Sequence, residues 1–460
     1  MVFSSAIFVF CFLPALLFLY FVLPKKCKNA VLLIFSLIFY GYGGVSYLFV
    51  LLATVFISYL GGMLMDRTNH RKAVLIITVG LNLLSLVYFK YTGFILSNVN
   101  GLLHTDMSIP EIVMPIGISF YTFQSLSYVI DVYRKEVDVQ KNYFWLLLYV
   151  SLFPQLVAGP IVRYQTIENE IQNRSTSLDD FCYGIERFIL GLAKKVIIAN
   201  QMGKLADIVF ESTVFNTPCA WLGAIAYMMQ IYFDFSAYSD MAIGMGRIFG
   251  FHFLENFNFP YIAKSVTEFW RRWHISLSTF FRDYVYIPLG GNRCSKRRQI
   301  FNMSAVWLLT GIWHGASWNF VLWGLYYLIF LFLEKYPLKN VITKTPVVLR
   351  HIVTLLIVLV GWMLFRFEDM SVFKDVVTAL FSFNITDIGL SEATIYIETY
   401  FVYFIAAFMF STPIYYVVCD KFKKYKVFEF IKYCGLLCLF IVTIMFLAQS
   451  SYNPFIYFRF

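Results

Sequence analysis

The chain has 460 residues, of which 60% are hydrophobic, 20% aromatic and only 14% charged. A soluble domain carries roughly 25% charged residues, so the composition excludes a water-soluble globular protein and points to a polytopic membrane protein. The formal net charge of +10 is divided among short clusters rather than gathered on one surface, which favours membrane topology over nucleic-acid binding.

In chain order, apolar runs fall at roughly 4–23, 29–44, 46–64, 73–89, 112–130, 143–162, 218–233, 300–313, 318–334, 349–365, 399–418 and 430–450. A run of about 20 residues crosses about 30 Å of hydrocarbon, so the pattern predicts about 11 to 13 membrane segments, some of them re-entrant, in a single membrane domain over 1–460. The first run has no basic region before it and no small-residue cleavage site after it, so it is expected to be retained. Basic residues cluster at Lys25, Lys26 and Lys28, at Arg67, Arg71 and Lys72, at Arg134, Lys135 and Lys141, at Arg293, Lys296, Arg297 and Arg298, and at Lys421, Lys423, Lys424 and Lys426. These loops are expected on the cytoplasmic face. The stretch from Arg366 to Glu398 is rich in acids, Glu368, Asp369, Asp375, Asp387, Glu392 and Glu398, and reads as an external loop. One span after the 421–426 loop then places "SYNPFIYFRF", 451–460, outside. Eight cysteines are scattered without a CxxC pair, and packing as small hydrophobes is the expectation for each.

Several stretches carry polar groups inside apolar sequence. "MPIGISFYTFQSLSYVIDVYRKE" places Gln124, Ser125 and Asp131 on a span, where packing and cavity lining are expected. "YFDFSAYSDMAIGMGRIFGF" holds Asp234, Asp240 and Arg247; such charges are usually paired within a bundle, and Asp240 with Arg247 is the expected pair. In "EFWRRWHISLSTFFRDYVYIPLGGNR", read as one helix, Arg271, His274, Ser278 and Arg282 form a polar stripe, with Trp270, Trp273, Leu277 and Phe281 on another face. That helix is too polar to span against lipid, so it lies at the interface with snorkelling arginines or lines a watered cavity. In "WLLTGIWHGASWNFVLWGLYY", His314 sits among aromatics just before Ser317 and Asn319. An ionisable side chain at that depth is a functional candidate, the alternative being a histidine satisfied by one hydrogen bond. Gly311 and Gly315 form a small-xxx-small pair that would admit another backbone. His70, His104, His252 and His351 sit in loops or at span ends. HExxH, P-loop and GxSxG motifs are absent, which sets aside metalloprotease, nucleotide-hydrolase and serine-hydrolase chemistry; no metal site is expected.

Through these two histidines and through "FPQLVAGPIVRY", "ENFNFPY" and "GWMLFRFE", the chain resembles the membrane-bound O-acyltransferases, and within them the bacterial alginate O-acetyltransferase branch. The resemblance implies an all-α helix bundle around a central funnel or tunnel. It implies that His314 is catalytic, with His274 supporting it, and it makes Arg271, Ser278, Arg282 and Asn319 candidates for contacting the donor. It implies no bound cofactor, and a cytoplasmic donor that is acetyl-CoA or another acyl thioester. The acyl group would leave on the opposite face of a bacterial cytoplasmic membrane for an envelope polysaccharide, with an extracytoplasmic SGNH-type partner. Tyr457 in "PFIYFRF" matches a tyrosine proposed, in similar systems, to take the acyl group. The rings around it could instead be an interfacial anchor. The alternatives are D-alanyl transfer to teichoic acid from a carrier protein and, in a different class, a multi-pass transporter or flippase, whose signature of interrupted helices in two related halves is not seen.

Overall fold

The computed structural model describes residues 1–157, 159–212, 215–449 and 452–456. Among these, the ordered elements are helices, with no strand. A lipid-facing apolar segment has no water to satisfy its N–H and C=O groups, and the helix satisfies them internally. Among the described residues, five helices are long and apolar enough to cross a membrane: Val45–Arg67, Arg71–Leu103, Val347–Arg366, Asp387–Phe410 and Lys426–Gln449.

The other apolar runs take shorter or bent forms. The first passes from a π-helical turn, Phe8–Phe12, into the helix Leu13–Val22. The run at 143–162 breaks into Tyr143–Ser151 and Phe153–Leu156, because in a continuous helix Pro154 would have no N–H for the Val150 carbonyl and its ring would clash with it, whereas proline is tolerated in the first turn of a new helix. The run at 112–130 yields the helix Ile118–Arg134, which starts after Gly117 at φ +75°. A Cβ at Gly117 would also stand 2.7 Å from the Leu156 carbonyl, so both the left-handed backbone and the close approach require glycine there. The run at 218–233 opens a helix of 32 residues, Thr217–Ile248. Its two acids, Asp234 and Asp240, are buried in protein, while Arg247 near its end is partly exposed.

The chain forms two compact units, one of residues 1–188 with 239–254 and the other of 189–238 with 255–460. In the first, Arg187 pairs with Asp240 at 2.7 Å and Arg247 with Asp180 at 2.9 Å. The expected Asp240–Arg247 pair is therefore not made. Seven residues of helix separate those two groups by about 10 Å along the axis, and the helix Leu178–Ala193 brings a nearer partner to each. It can come so close because Gly184 and Gly244 face each other: a Cβ on either would press on the other's carbonyl, at 2.5 and 2.6 Å.

The acidic stretch at 366–398, expected to be a loop, is largely helical. It holds Met370–Phe381 and the start of Asp387–Phe410. Two of its polar residues are helix caps, Asp369 accepting from the Ser371 N–H and Thr386 from the Gly389 N–H, which satisfies donors that the first turn leaves open.

In the second unit, Lys296–His314 and Trp318–Lys335 form an antiparallel helical hairpin. A Cβ on Gly311 would overlap the Phe320 carbonyl and lie 3.4 Å from Gly324 Cα, and one on Gly324 would reach the Trp307 carbonyl at 2.5 Å. The close backbone approach expected of Gly311 is real. Gly315 serves differently: it is extended at the helix end, where a Cβ would strike the Phe320 ring.

Candidate active site

The segment 268–293 is not the single helix its pattern suggests. Helix Val266–Arg272 ends, Trp273 is extended, His274 adopts a left-handed backbone at φ +44°, and a second helix runs over Ile275–Phe281 into a π-helical turn, Arg282–Tyr286. Asn256 explains the break. Its carbonyl accepts the Ile275 N–H at 2.9 Å, and its Oδ1 accepts the Ser276 N–H at 3.1 Å and the Ser276 hydroxyl at 2.8 Å. Asn256 thus caps the second helix from outside, replacing the hydrogen bonds that a continuous helix would have supplied. A non-glycine residue at positive φ costs about 1–3 kcal/mol, and such strain concentrates at functional sites.

The same Asn256 oxygen lies 3.2 Å from His274 Nδ1. A backbone N–H can only donate, so the contact with Ser276 N–H identifies that Asn256 atom as the oxygen. Nδ1 must then be the donor, and the neutral ring keeps its lone pair on Nε2. Phe235 meets the His274 ring edge-on at 4.6 Å and 90°. His274 is only 1% exposed.

His314 is the last residue of its helix. Its ring is held edge-to-face by Trp323 at 5.0 Å and Phe365 at 5.2 Å, and it contacts Trp313 at 5.0 Å. Trp313 also meets the His274 ring at 6.0 Å, so one indole touches both imidazoles. Asn319 donates from Nδ2 to the Phe365 carbonyl at 3.2 Å. It lines neither of the cavities described below; its contact is with the residue that backs His314.

Arg271, His274, Ser278, Arg282 and His314 line one cavity of about 600 Å³. The four residues of the polar stripe read from the sequence line this one cavity despite the helix break. Arg282 is also paired with Asp283, through Nε at 2.6 Å and Nη2 at 3.0 Å. A second space of about 20 Å³, enough for about one water, is lined by Asp234, Phe235, His314, Phe365, Phe455 and Ile456. His314 lines both.

The segment Tyr452–Ile456 reaches that second space through contacts the sequence did not foretell. The Ile456 N–H donates to Asp234 Oδ2 at 2.8 Å, Phe455 stacks on Tyr238 at 5.0 Å, and the Tyr452 hydroxyl donates to Asp207 Oδ2 at 2.5 Å. Asp234 pairs with Lys195 at 2.6 Å, and Asp207 with Arg366 at 2.8 Å. Tyr457 lies outside the described residues. Asn256 and Lys195 carried no motif signal of their own; for Asn256 the one trace was the stretch "ENFNFPY".

His274 and His314 thus share the larger cavity, and His314 also borders the smaller one. A model of the membrane-bound O-acyltransferase family matches residues 135–373, just over half of the chain and including both histidines. The chain is 41% identical to a protein named "Probable alginate O-acetylase AlgI" from Azotobacter vinelandii, over 86% of this chain and 81% of that one. It is 38% identical to the protein of the same name from Pseudomonas putida, over the full length of both. It is 33% identical to a "Peptidoglycan O-acetyltransferase" from Helicobacter pylori, over 80% of this chain and 78% of that one. The chain belongs to the membrane-bound O-acyltransferase family. It is a helical, multi-pass membrane O-acyltransferase, and the transporter reading falls away.

Proposed function

We propose that the protein transfers an acetyl group from an acyl thioester, with acetyl-CoA as the donor, toward O-acetylation of an envelope or exported polysaccharide, through an ester on Tyr457. The observation that carries this reading is that His314 lines two spaces at once. One is large, with Arg271, His274, Ser278 and Arg282 on its wall, and the other is small, with Phe455 and Ile456 on its wall. Tyr457 is the next residue in the chain. The relatives named as acting on alginate and on peptidoglycan support a polysaccharide acceptor.

The chemistry follows from the reference acidities. A phenol with pKa near 10 is roughly 1 in 1,000 ionised at pH 7, so it needs a base to attack a thioester. A ring nitrogen of His314 takes the phenol proton as the Tyr457 oxygen bonds to the acetyl carbon. The carbon–sulfur bond breaks, and the leaving thiolate takes the proton back from the imidazolium. The aryl ester that results is reactive enough to pass its acetyl group to a serine or sugar hydroxyl, which regenerates the phenol. Arg271 and Arg282 provide cationic contacts for a donor bearing phosphates. His274, fixed in one tautomer by Asn256, offers an acceptor nitrogen on the same wall. In this reading the donor enters from the cytoplasm, the membrane is the bacterial inner membrane, and 451–460 lies outside, where an SGNH-type partner collects the acetyl group.

Tyr457→Phe tests it. The change keeps the ring and removes one oxygen, so an anchoring role would survive and a covalent role would not. Loss of polymer acetylation at normal membrane abundance is the expected result. Substantial acetylation by the variant would return the aromatic segment to an anchoring role.

A further inference from the structure

The ion pair of Lys195 and Asp234 is more than internal charge pairing. Both side chains are deeply buried, at 4% and 2% exposure, with 2.6 Å between Lys195 Nζ and Asp234 Oδ1. An ion pair that only joined two helices would be complete at that point. Here each partner turns further polarity to the main chain of one short segment. Asp234 Oδ2 accepts the Ile456 N–H at 2.8 Å, and Lys195 Nζ donates to the Pro454 carbonyl. The ammonium also lies 6.0 Å from the centre of the Phe455 ring, close enough for a cation–π contribution. The acceptor group of the pair meets a donor and the donor group meets an acceptor, so charge and hydrogen-bond sense agree at both points.

We propose that Lys195 and Asp234 are positioning residues that read the main chain of Pro454–Ile456 and thereby seat the aromatic segment beside His314. Asp234 lines the small space together with His314 and Ile456, so the seat and the reacting histidine share one wall. The consequence for acetyl transfer rests on the function proposed above; the seating itself does not.

Two measurements on the full-length protein test this. In the first, a cysteine at Ile456 reports the seat: in the otherwise native chain it should react slowly with a maleimide, and Lys195→Met or Asp234→Asn should speed labelling at least about tenfold, read on the C-terminal peptide by mass spectrometry. The second leaves both charged residues in place and so avoids a folding defect in the bundle. Ile456→Pro deletes the Ile456 N–H that Asp234 accepts, whereas Ile456→Ala removes side chain and keeps it. Ile456→Pro should lower kcat for acetyl transfer at least about tenfold below Ile456→Ala, with the KM for acetyl-CoA the same in both, because the donor cavity is untouched. Equal labelling rates with and without the Lys195–Asp234 pair, or equal kcat for the two Ile456 variants, would overturn the positioning role. Faster labelling together with an active Tyr457→Phe enzyme would instead place the failure in the carrier reading and leave the seat standing.

Discussion

Asn256 and His274, 18 residues apart in sequence, meet through a single oxygen: Asn256 Oδ1 lies 3.2 Å from His274 Nδ1 and also accepts the backbone N–H of Ser276. One side chain therefore sets the imidazole tautomer and holds the helix break that aims the ring into the cavity.

Asn256→Ala removes both functions at once. Acetyl transfer should fall by about one to two orders of magnitude, the range typical of losing a group that orients a metal-bound histidine. His274→Ala should fall by a similar amount and the double variant by little more, since both act through the same ring. Additive losses in the double variant, measured as initial rates at equal enzyme, would separate the two residues.

The ion pairs divide by burial. Arg187 and Asp240 are 10% and 9% exposed, and Arg187→Met takes the guanidinium away from a buried carboxylate, a kind of change that typically costs about 3–5 kcal/mol. Arg247 and Asp180 are 34% and 25% exposed, and breaking an ion pair in water's reach costs about 1 kcal/mol or less. Thermal unfolding of purified protein in detergent should show a clear drop for Arg187→Met and almost none for Arg247→Ala.

Gly311→Ala should destabilise the hairpin that carries His314. The added methyl would overlap the Phe320 carbonyl, a backbone atom that cannot swing aside, and overpacking of this kind costs about 1–3 kcal/mol. Gly435→Ala is the control, since nothing lies within 4 Å of a Cβ there. The check is membrane abundance and melting temperature of the two variants side by side.

Much of this was legible in the sequence, for physical reasons that differ by residue. The helical class follows from apolar run length, and spacing singled out Arg271, His274, Ser278 and Arg282, which line one cavity although the continuous helix that the spacing assumed is broken at His274. The break itself was hidden: it depends on Asn256, which supplies its cap from outside the helix. The same limit explains the charges. Periodicity along Thr217–Ile248 predicts which residues face inward, but it cannot say that Arg187, rather than Arg247, arrives opposite Asp240. The acidic stretch at 366–398 was read as a loop from its run of acids, yet one of them, Asp369, and Thr386 in the same stretch are helix caps.

Topology is a separate test. A cysteine at Ser451 should react with an impermeant thiol reagent from outside the cell, and one at Ser295 only after the membrane is opened, since the lysine-rich loop at 421–426 and one complete span, Lys426–Gln449, lie before Ser451. Labelling of Ser451→Cys only from the inside would contradict an external site of acyl release.

The most direct measurement of the account is the mass of the C-terminal peptide after purified protein is incubated with isotopically labelled acetyl-CoA and no acceptor. The labelled acetyl group should appear on Tyr457 in the native chain and be absent from it in His314→Ala. A native enzyme that acetylates added polysaccharide while that peptide stays unlabelled at every time sampled would contradict it.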